Sequence, residues 1–369
     1  MTGLRVATFD CVGAFDDLAV EWAALDALRS PRVPFTSPLW NQLWWRHYRR
    51  NGWQGRDELR LQTVRDETGM LVAVAPMMLT FRPGRGALRT SELQFLGADS
   101  NVTELRGPLL RPGYEAAALQ ALRDHVEATA EWDWIQWRGL PAALGPAAMP
   151  DLQRAADLVD MYLPLERSWE MLRAKVSRNL KESLRKCYNS LSRDGHEWSV
   201  EVIEDPASVS VAFRQLLELH AARARLVDTV DHIDVFAAPE AKAFISDFVG
   251  QMAAAGQVRL FALEIGGVQV AMRVGFIYAR ELYLYYSGYE PEWGRYSVMT
   301  TLVAEAVKWA IGQGLDGVNL STGVDTSKTR WRPLEVRYVE GFQAAESIRG
   351  RVALKAVGMV LGRRPVRVA

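Results

Sequence analysis

The order of predicted elements runs through this chain twice, and that repetition limits the fold more than any other feature. Residues 3–10 alternate apolar and polar as a strand does, and 15–29 and 40–51 have helical periodicity. Residues 59–66 and 70–81 read as two strands joined by a Gly turn; a helix around 114–130 and a short apolar strand, 133–139, follow. The second half gives a strand at 198–205, helices at 207–224 and 239–255, then a three-strand meander at 258–265, 268–278 and 281–289. A helix at 297–313 and a strand at 316–322 complete it. The hairpins RLQTVRDETGMLVAVAP and RLFALEIGGVQVAMRV begin 199 residues apart, at Arg60 and Arg259. This order predicts an α/β (α+β) fold and points to an ancient duplication. A length of 369 residues agrees, since one hydrophobic core rarely organises so much chain.

Composition excludes several function classes. Lys plus Arg and Asp plus Glu both number 44, so no polyanion or nucleic-acid partner is expected from the overall field. Cys11 and Cys187 lack a CxxC or Cys/His spacing and read as two reduced thiols. The five histidines form no HxH or HxxxH pair, so no metal site is expected. The opening MTGLRVATFD has no basic segment before an apolar core, and no run of about 18 apolar residues occurs. A cytoplasmic location is the expectation.

Two basic segments frame the second half. Residues 172–195 have helical period, seven basic residues against two acidic, and Gly195 as a C-cap. They are either a solvated linking helix, or a cleft wall in which Arg178, Lys181 and Arg185 hold an anionic donor or acceptor. After Glu346 the chain carries Arg349, Arg351, Lys355, Arg363, Arg364 and Arg367 among apolar residues. That tail is either a frayed soluble end or an amphipathic segment lying on an anionic membrane surface, at the inner face of the membrane. The expected boundaries are 1–165, 166–346 and a basic tail, 347–369.

The stretch that carries chemistry is 281–314, ELYLYYSGYEPEWGRYSVMTTLVAEAVKWAIGQG. A strand ends in Ser287, Gly288 and Tyr289, and after a loop a helix begins near Tyr296 or Ser297. A thioester enzyme needs free backbone N–H groups where strands splay, and a helix N-terminus whose dipole and unpaired amides hold a diphosphate. Gly288 lets the strand leave its ladder, and Arg295, Tyr296 and Ser297 give a cationic, hydroxylated entry to the helix. Arg273 sits mid-strand and must find a partner or open onto a cleft. The first half holds eight of the thirteen tryptophans, and Trp40, Trp44 and Trp45 at helical spacing read as packing residues or as a stacking platform.

From about 170 to 342 the chain resembles the cellulose-biosynthesis (CelD-like) acetyltransferases, a branch of the GNAT superfamily that is itself similar to the Fem aminoacyltransferases. The matching pieces are SRNLKESLRKCYNSLSRDG, LHAARAR (219–225), GQVRLFALEIGGVQVAM and RYSVMTTLVAEAVKWAIGQGLDGVNLSTGVDTSKTRW. PFTSPLW (34–40) and LVAVAPMML (71–79) resemble the same family's amino-terminal lobe. The resemblance implies tandem GNAT-like domains, each a mixed, mostly antiparallel sheet flanked by helices, and transfer of an acyl group to an amine. Two departures stand out. GRYSVM keeps Arg295 but lacks the later glycines of the RxxGxG diphosphate loop, and Ser327 replaces the tyrosine of the late YK motif, beside Lys328.

Aminolysis of a thioester needs a neutral amine, a stabilised oxyanion and a departing sulfur. Backbone N–H groups near Ser287–Tyr289 are the oxyanion candidates; in enzymes generally, one such donor contributes about 2.7–4 kcal/mol. His220 or Asp325 is the candidate base, Lys328 a charge stabiliser and Tyr286 (or Tyr289) a proton donor to the thiolate. Arg178, Lys181, Arg223 and Arg273 are the candidate substrate-binding residues. The expected activity is an acyl-CoA-dependent N-acyltransferase. Its acceptor is a primary amine on a lipid such as a sphingoid base, an amino sugar or a peptide, in lipid or polysaccharide biosynthesis. A Fem-like transfer from aminoacyl-tRNA and a non-catalytic GNAT scaffold are the alternatives.

Overall fold

The computed structural model describes residues 3–53, 55–83, 89–129, 131–226 and 232–361, with side chains through 355. Two compact units emerge. One comprises Met1–Ser30, Pro34–Leu158 and Arg337–Val368, and the other Pro31–Val33 and Val159–Val336.

The first unit runs β1 (Arg5–Phe9), α1 (Ala14–Asp26), α2 (Pro38–Tyr48), β2 (Asn51–Gly52), β3 (Gly55–Arg65), β4 (Leu71–Pro83), β5 (Arg89–Phe95), β6 (Leu109–Leu110), α3 (Glu115–Thr129) and β7 (Trp134–Pro141). Helix α2 starts where Ser37 accepts from the amide of Trp40 and Pro38 fills a position that needs no donor. Trp40, Trp44 and Trp45 are buried, as packing residues at helical spacing are. In the second unit come β8 (Gln153–Pro164, entering from the first), α4 (Trp169–Lys175), α5 (Arg178–Arg193), β9 (Trp198–Ile203), α6 (Pro206–Ala224) and α7 (Pro239–Ala254). Then follow β10 (Val258–Ile265), β11 (Val268–Tyr278), β12 (Glu281–Tyr289), α8 (Val298–Gly312), β13 (Gly317–Thr322) and α9 (Thr326–Thr329). Strand β14 (Leu334–Ala344) and helix α10 (Ile348–Leu361) return the chain to the first unit.

The duplication is visible in the pairing. Strands of the first unit are ordered β1-β3-β4-β5-β7-β14, and those of the second β9-β10-β11-β12-β13-β8. In both, the first four strands are antiparallel neighbours, the fourth and fifth are parallel, and the fifth and sixth antiparallel. Two helices separate the first and second strands of each set, and one long helix separates the fourth and fifth. The sixth strand is supplied differently: by β8, just ahead of the second unit, and by β14, after it. Alternation then sorts the second unit's core. Leu282, Leu284, Val318 and Leu320 pack with Leu180 and Leu184 of α5 and with Leu302 and Val307 of α8. Phe276 and Tyr285 face the other way, toward Phe248 of α7.

Three sequence expectations meet differences. The basic segment 172–195 is two helices, because Ser177 caps a new one by accepting from Leu180. Strands β5, β8 and β14 were not read from the sequence, since charged residues interrupt their apolar alternation. The tail begins as α10, whose Ala353 and Leu354 pack on Trp134 while Arg349 pairs with Asp133 at 2.8 Å. Arg363, Arg364 and Arg367 lie outside the described residues. Among the described residues no helix is long and apolar enough to cross a membrane.

Strand β13 is held by a buried polar pair. Asn319 donates to Asp160 Oδ2 at 2.8 Å, and its Oδ1 accepts from the Ser321 amide at 2.8 Å. Asn319→Ala removes a donor from a buried carboxylate and leaves an amide unpaired, at a cost of about 2–4 kcal/mol. Thermal unfolding should fall by several degrees; an unchanged transition would mean that β13 does not rely on this pair.

Candidate functional site

The site is built from a parting of two strands. Strand β12 pairs with β13 only through Glu281↔Gly317, Leu282↔Val318 and Tyr283↔Asn319. Beyond that point a bulge interrupts each strand. On β12, Tyr285 and Tyr286 together oppose Val274, since Arg273 pairs with Ser287 and Gly275 with Leu284. On β13, Leu320 and Ser321 oppose Met161, and Ser321 takes a left-handed φ of 72°. A bulge adds a residue to one strand, bends it and increases its twist, so the two strands diverge.

The divergence leaves one edge of β12 facing a gap. The Glu290 amide bonds to the Val270 carbonyl at 2.8 Å, which sets the phase of the ladder toward β11. Antiparallel alternation then turns Gly288 to β11, and the peptide groups of Ser287 and Tyr289 to the edge that β13 has left. The Ser287 carbonyl accepts from His220 Nδ1 at 3.1 Å. Gly288 serves a different purpose from the one its sequence position implied. A Cβ there would lie 2.3 Å from the His220 nitrogen and 2.4 Å from the Leu219 carbonyl carbon, so glycine lets α6 press against the strand.

A cleft of about 140 Å³ opens at the gap. Leu284 and Ser287 come from β12 and Leu320 from β13. Met299, Thr300 and Val303 come from the first turns of α8, and Ser327, Lys328, Arg330 and Trp331 from the segment around α9. Arg223, at the end of α6, and Arg273, opposite Ser287, complete the wall. The bulge puts Leu284 and Ser287 on one face, although an odd spacing would otherwise separate them.

Of the residues singled out by sequence, the cleft gathers Ser287, Arg223, Arg273 and Lys328. Lys328 donates to the Thr322 carbonyl and stands 3.5 Å from Asp325 Oδ2. Asp325 caps α9, accepting from the Ser327 amide at 2.9 Å. Burial works to raise its pKa, but the Ser327 hydrogen bonds and the Lys328 charge outweigh it and hold the carboxyl below its usual value. Arg223 lies over the Tyr289 ring at 5.3 Å and against His232, and burial lowers its pKa. Burial likewise lowers that of Arg330, which donates to Thr300 Oγ1 at 2.9 Å.

Other candidates sit elsewhere. His220 is buried against Phe236 and Tyr286, with Nε2 3.9 Å from Asp234 Oδ1, so neither its ring nor that of Tyr286 lines the cleft. Tyr296 is a core residue whose hydroxyl meets Asp194 at 3.1 Å and His196 at 3.0 Å. Ser297 precedes α8 with φ 53° and makes no side-chain cap, while Arg295 is exposed and stacks over Tyr296. Arg178 is exposed and paired with Glu182 at 2.7 Å, and Lys181 donates to the Ala174 carbonyl. Neither reaches the cleft lining. Sequence reasoning missed Arg330, Thr300, Met299 and Val303. The spacing of 299, 300 and 303 along one helix face was the available signal.

The first unit has the equivalent strand pair but not the opening. Strand β5 pairs with β7 only through Glu92↔Trp134, Leu93↔Ile135 and Gln94↔Gln136. The chain itself then lies against the rest of β7. A Cβ on Gly107 would fall 2.5 Å from the Arg138 carbonyl, and one on Gly139 2.5 Å from the Arg106 carbonyl. Arg106 donates to Gln136 Oε1 at 3.2 Å, and burial lowers its pKa to about 9.

Residues 178–329 match the family model described as acetyltransferase (GNAT) domain. The second unit is a GNAT domain. Its family is one of acyltransferases, and the CelD-like resemblance noted from the sequence agrees with the match. No curated protein matches the chain by sequence. Among solved structures the chain is similar to FemX, with a TM-score of 0.54, 11% identity, and coverage of 87% of this chain and 95% of that one. It is also similar to the C-terminal domain of a putative lysylphosphatidylglycerol synthetase from Agrobacterium fabrum, with a TM-score of 0.50, 14% identity, and coverage of 96% and 100%. At such identities the likeness is one of fold. In the GNAT domain, among the described residues, no group of three or more metal-ligating side chains occurs.

His220 gives the domain a pH dependence. Burial is the largest influence and lowers its pKa below 6.5, against the opposing Ser287 hydrogen bond and Asp234 charge. The native ring therefore stays neutral where the unfolded one takes a proton, so this contribution rises with pH and is lost as pH falls below about 6.5. Between about pH 7.5 and pH 5.5, His220→Gln should lose less stability than the parent in denaturant titrations. Equal losses would show that the buried ring is not the source.

Proposed function

We propose that the chain is an N-acyltransferase that moves an acyl group from a CoA thioester to a primary amine, with the reaction at the gap between β12 and β13. One observation carries this reading: beyond Tyr283 the edge of β12 has no pairing with β13, and Ser287 lines a cleft there together with the first turns of α8. The thioester lies along the exposed edge of β12, pairing its amides with the strand, and its carbonyl oxygen takes the Ser287 N–H. An acceptor amine attacks the carbonyl carbon, the N–C bond forms, and the C–S bond breaks. The amine releases one proton to solvent, and the thiolate leaves toward Lys328. A preorganised donor at the oxyanion contributes about 2.7–4 kcal/mol in enzymes of known mechanism.

The described cleft lining holds no histidine and no carboxylate. The amine therefore arrives neutral, helped by nearby cations, which lower the pKa of an ammonium group. Its class is a lipid of sphingoid type, an amino sugar or a peptide. Transfer from aminoacyl-tRNA is the competing reading, favoured by the fold likeness to FemX. A tRNA donor predicts an affinity that falls steeply with salt.

Free thiol released from acyl-CoAs of graded length, with a panel of amines, tests the proposal. Val303→Trp should fill the cleft and lower the rate by at least about 100-fold, as misplacement at a reacting centre does, with little change in unfolding temperature. The rate constant kcat/KM should rise with pH up to the pKa of the acceptor amine and show no levelling near pH 6.5, where a free imidazole titrates, roughly. Absence of thiol release with every amine, or an unaffected Val303→Trp variant, would overturn the reading.

A further inference from the structure

One end of the first unit's sheet gathers exposed apolar and cationic side chains. Register draws a row across that end: Arg56 of β3 pairs with Phe81 of β4, and Phe81 with Ser91 of β5. The Asp133 amide then donates to the Ser91 carbonyl at 2.9 Å, and the Ala345 amide to the Asp133 carbonyl at 3.0 Å. Beyond the row lie the β2–β3 turn with Trp53, the adjoining ends of β4 and β5, and the start of α10. Helix α10 adjoins β5 directly, because Arg349 donates to the Arg89 carbonyl.

Helix α10 has two faces. Inward, a Cβ on Gly350 would lie 2.6 Å from the Asp133 carbonyl oxygen, and Ala353 and Leu354 pack on Trp134. Outward, Ile348 and Val352 stand one turn apart, 75% and 61% exposed, with Arg351 and Lys355 exposed beside them. Trp53 is 83% exposed. Arg89, Arg351 and Lys355 form no ion pair among the described residues. The nearby acids are mostly spent: Asp133 on Arg349, Glu92 on Arg82 and Glu131 on Arg60, leaving Glu346. Residues 84–88 and 356–369, whose side chains lie outside the described ones, add four arginines by sequence and no acid.

We propose that this end of the first unit docks on an anionic lipid bilayer. Trp53, Ile348 and Val352 enter the headgroup region, while Arg89, Arg351 and Lys355 meet lipid phosphates. The proposal is independent of the acyltransferase reading. Chemistry selects the occupant. Cations interleaved with an indole and branched aliphatic side chains match a surface that is negative at its headgroups and apolar just beneath them. An indole in particular favours that boundary, where its ring is buried and its N–H stays near water. A second copy of the chain would set the same cations against one another across a two-fold axis. A nucleic-acid backbone would satisfy the cations but offer nothing apolar to Ile348 and Val352.

The test is sedimentation of the full chain with two kinds of vesicle: phosphatidylcholine alone, and equal parts phosphatidylcholine and phosphatidylglycerol. Affinity for the mixed vesicles should exceed that for the neutral ones by about 100-fold and fall as salt rises. Arg351→Gln combined with Lys355→Gln should weaken it by about 25-fold, roughly fivefold for each charge removed. Ile348→Ser combined with Val352→Ser should weaken it by about tenfold. All four side chains are exposed, so both double variants should unfold at the parent's temperature. Brominated lipid in the mixed vesicles should quench the fluorescence of the parent more than that of Trp53→Phe. Equal affinity for the two vesicles overturns the proposal, and so does an Arg351→Gln, Lys355→Gln variant that binds as the parent does. Binding of tRNA without binding of vesicles overturns it too, because the surface would then belong to a nucleic acid.

Discussion

Two bulges on neighbouring strands, at Tyr285–Tyr286 and at Leu320–Ser321, separate β12 from β13 and create the cleft. A sheet normally spends every internal peptide group on its neighbours, and an unpaired one is costly to bury. Here the strands part, and the edge of β12 beyond Tyr283 borders a cleft instead. The surroundings fix that arrangement from both sides. His220 takes the Ser287 carbonyl, Gly288 lets α6 approach, and Asn319 holds the Ser321 turn against Asp160. His220 thus shapes the site by positioning a strand, although it does not line the cleft.

The same topology occurs in both units with opposite outcomes. Each has a parallel fourth and fifth strand that pair over three positions and then diverge. In the first unit Arg106 and Gly107 lie against Arg138 and Gly139, so protein backbone takes the place a ligand would have. In the second the corresponding space is bordered by α8 and the α9 segment and stays open. Duplication followed by filling of one copy accounts for an opening at this strand pair in the second unit and not in the first, and it agrees with the placement of the family match in the second unit.

Much of this was legible in the sequence. The hairpins at Arg60 and Arg259, the meander at 258–289 and the helix after it were readable because their apolar periods are strong and their turns carry glycine. Ser287, Arg223, Arg273 and Lys328, all singled out in the sequence, line one cleft. The bulges were not readable, since a bulge is a change of register between two strands, and one strand's pattern does not encode its partner's. That change decides which side chains share the cleft face, so Arg330 and Thr300 were missed. His220 and Tyr286 drew notice for their chemistry, yet their neighbours turn them into the protein interior. The strands β8 and β14 were lost for a simpler reason: QRAADLVDMYLP and LEVRYVEGFQA carry charges on both faces.

Amide hydrogen exchange across residues 284–290, with and without an acyl-CoA, measures the central claim at the backbone itself. Without ligand, the Ser287 and Tyr289 amides should exchange much faster than those of Leu282 and Tyr283, which the ladder protects, and acyl-CoA should slow them selectively. Uniform slow exchange along β12 in the free protein, or no change on adding acyl-CoA, would mean that the edge is already satisfied and has no thioester to hold.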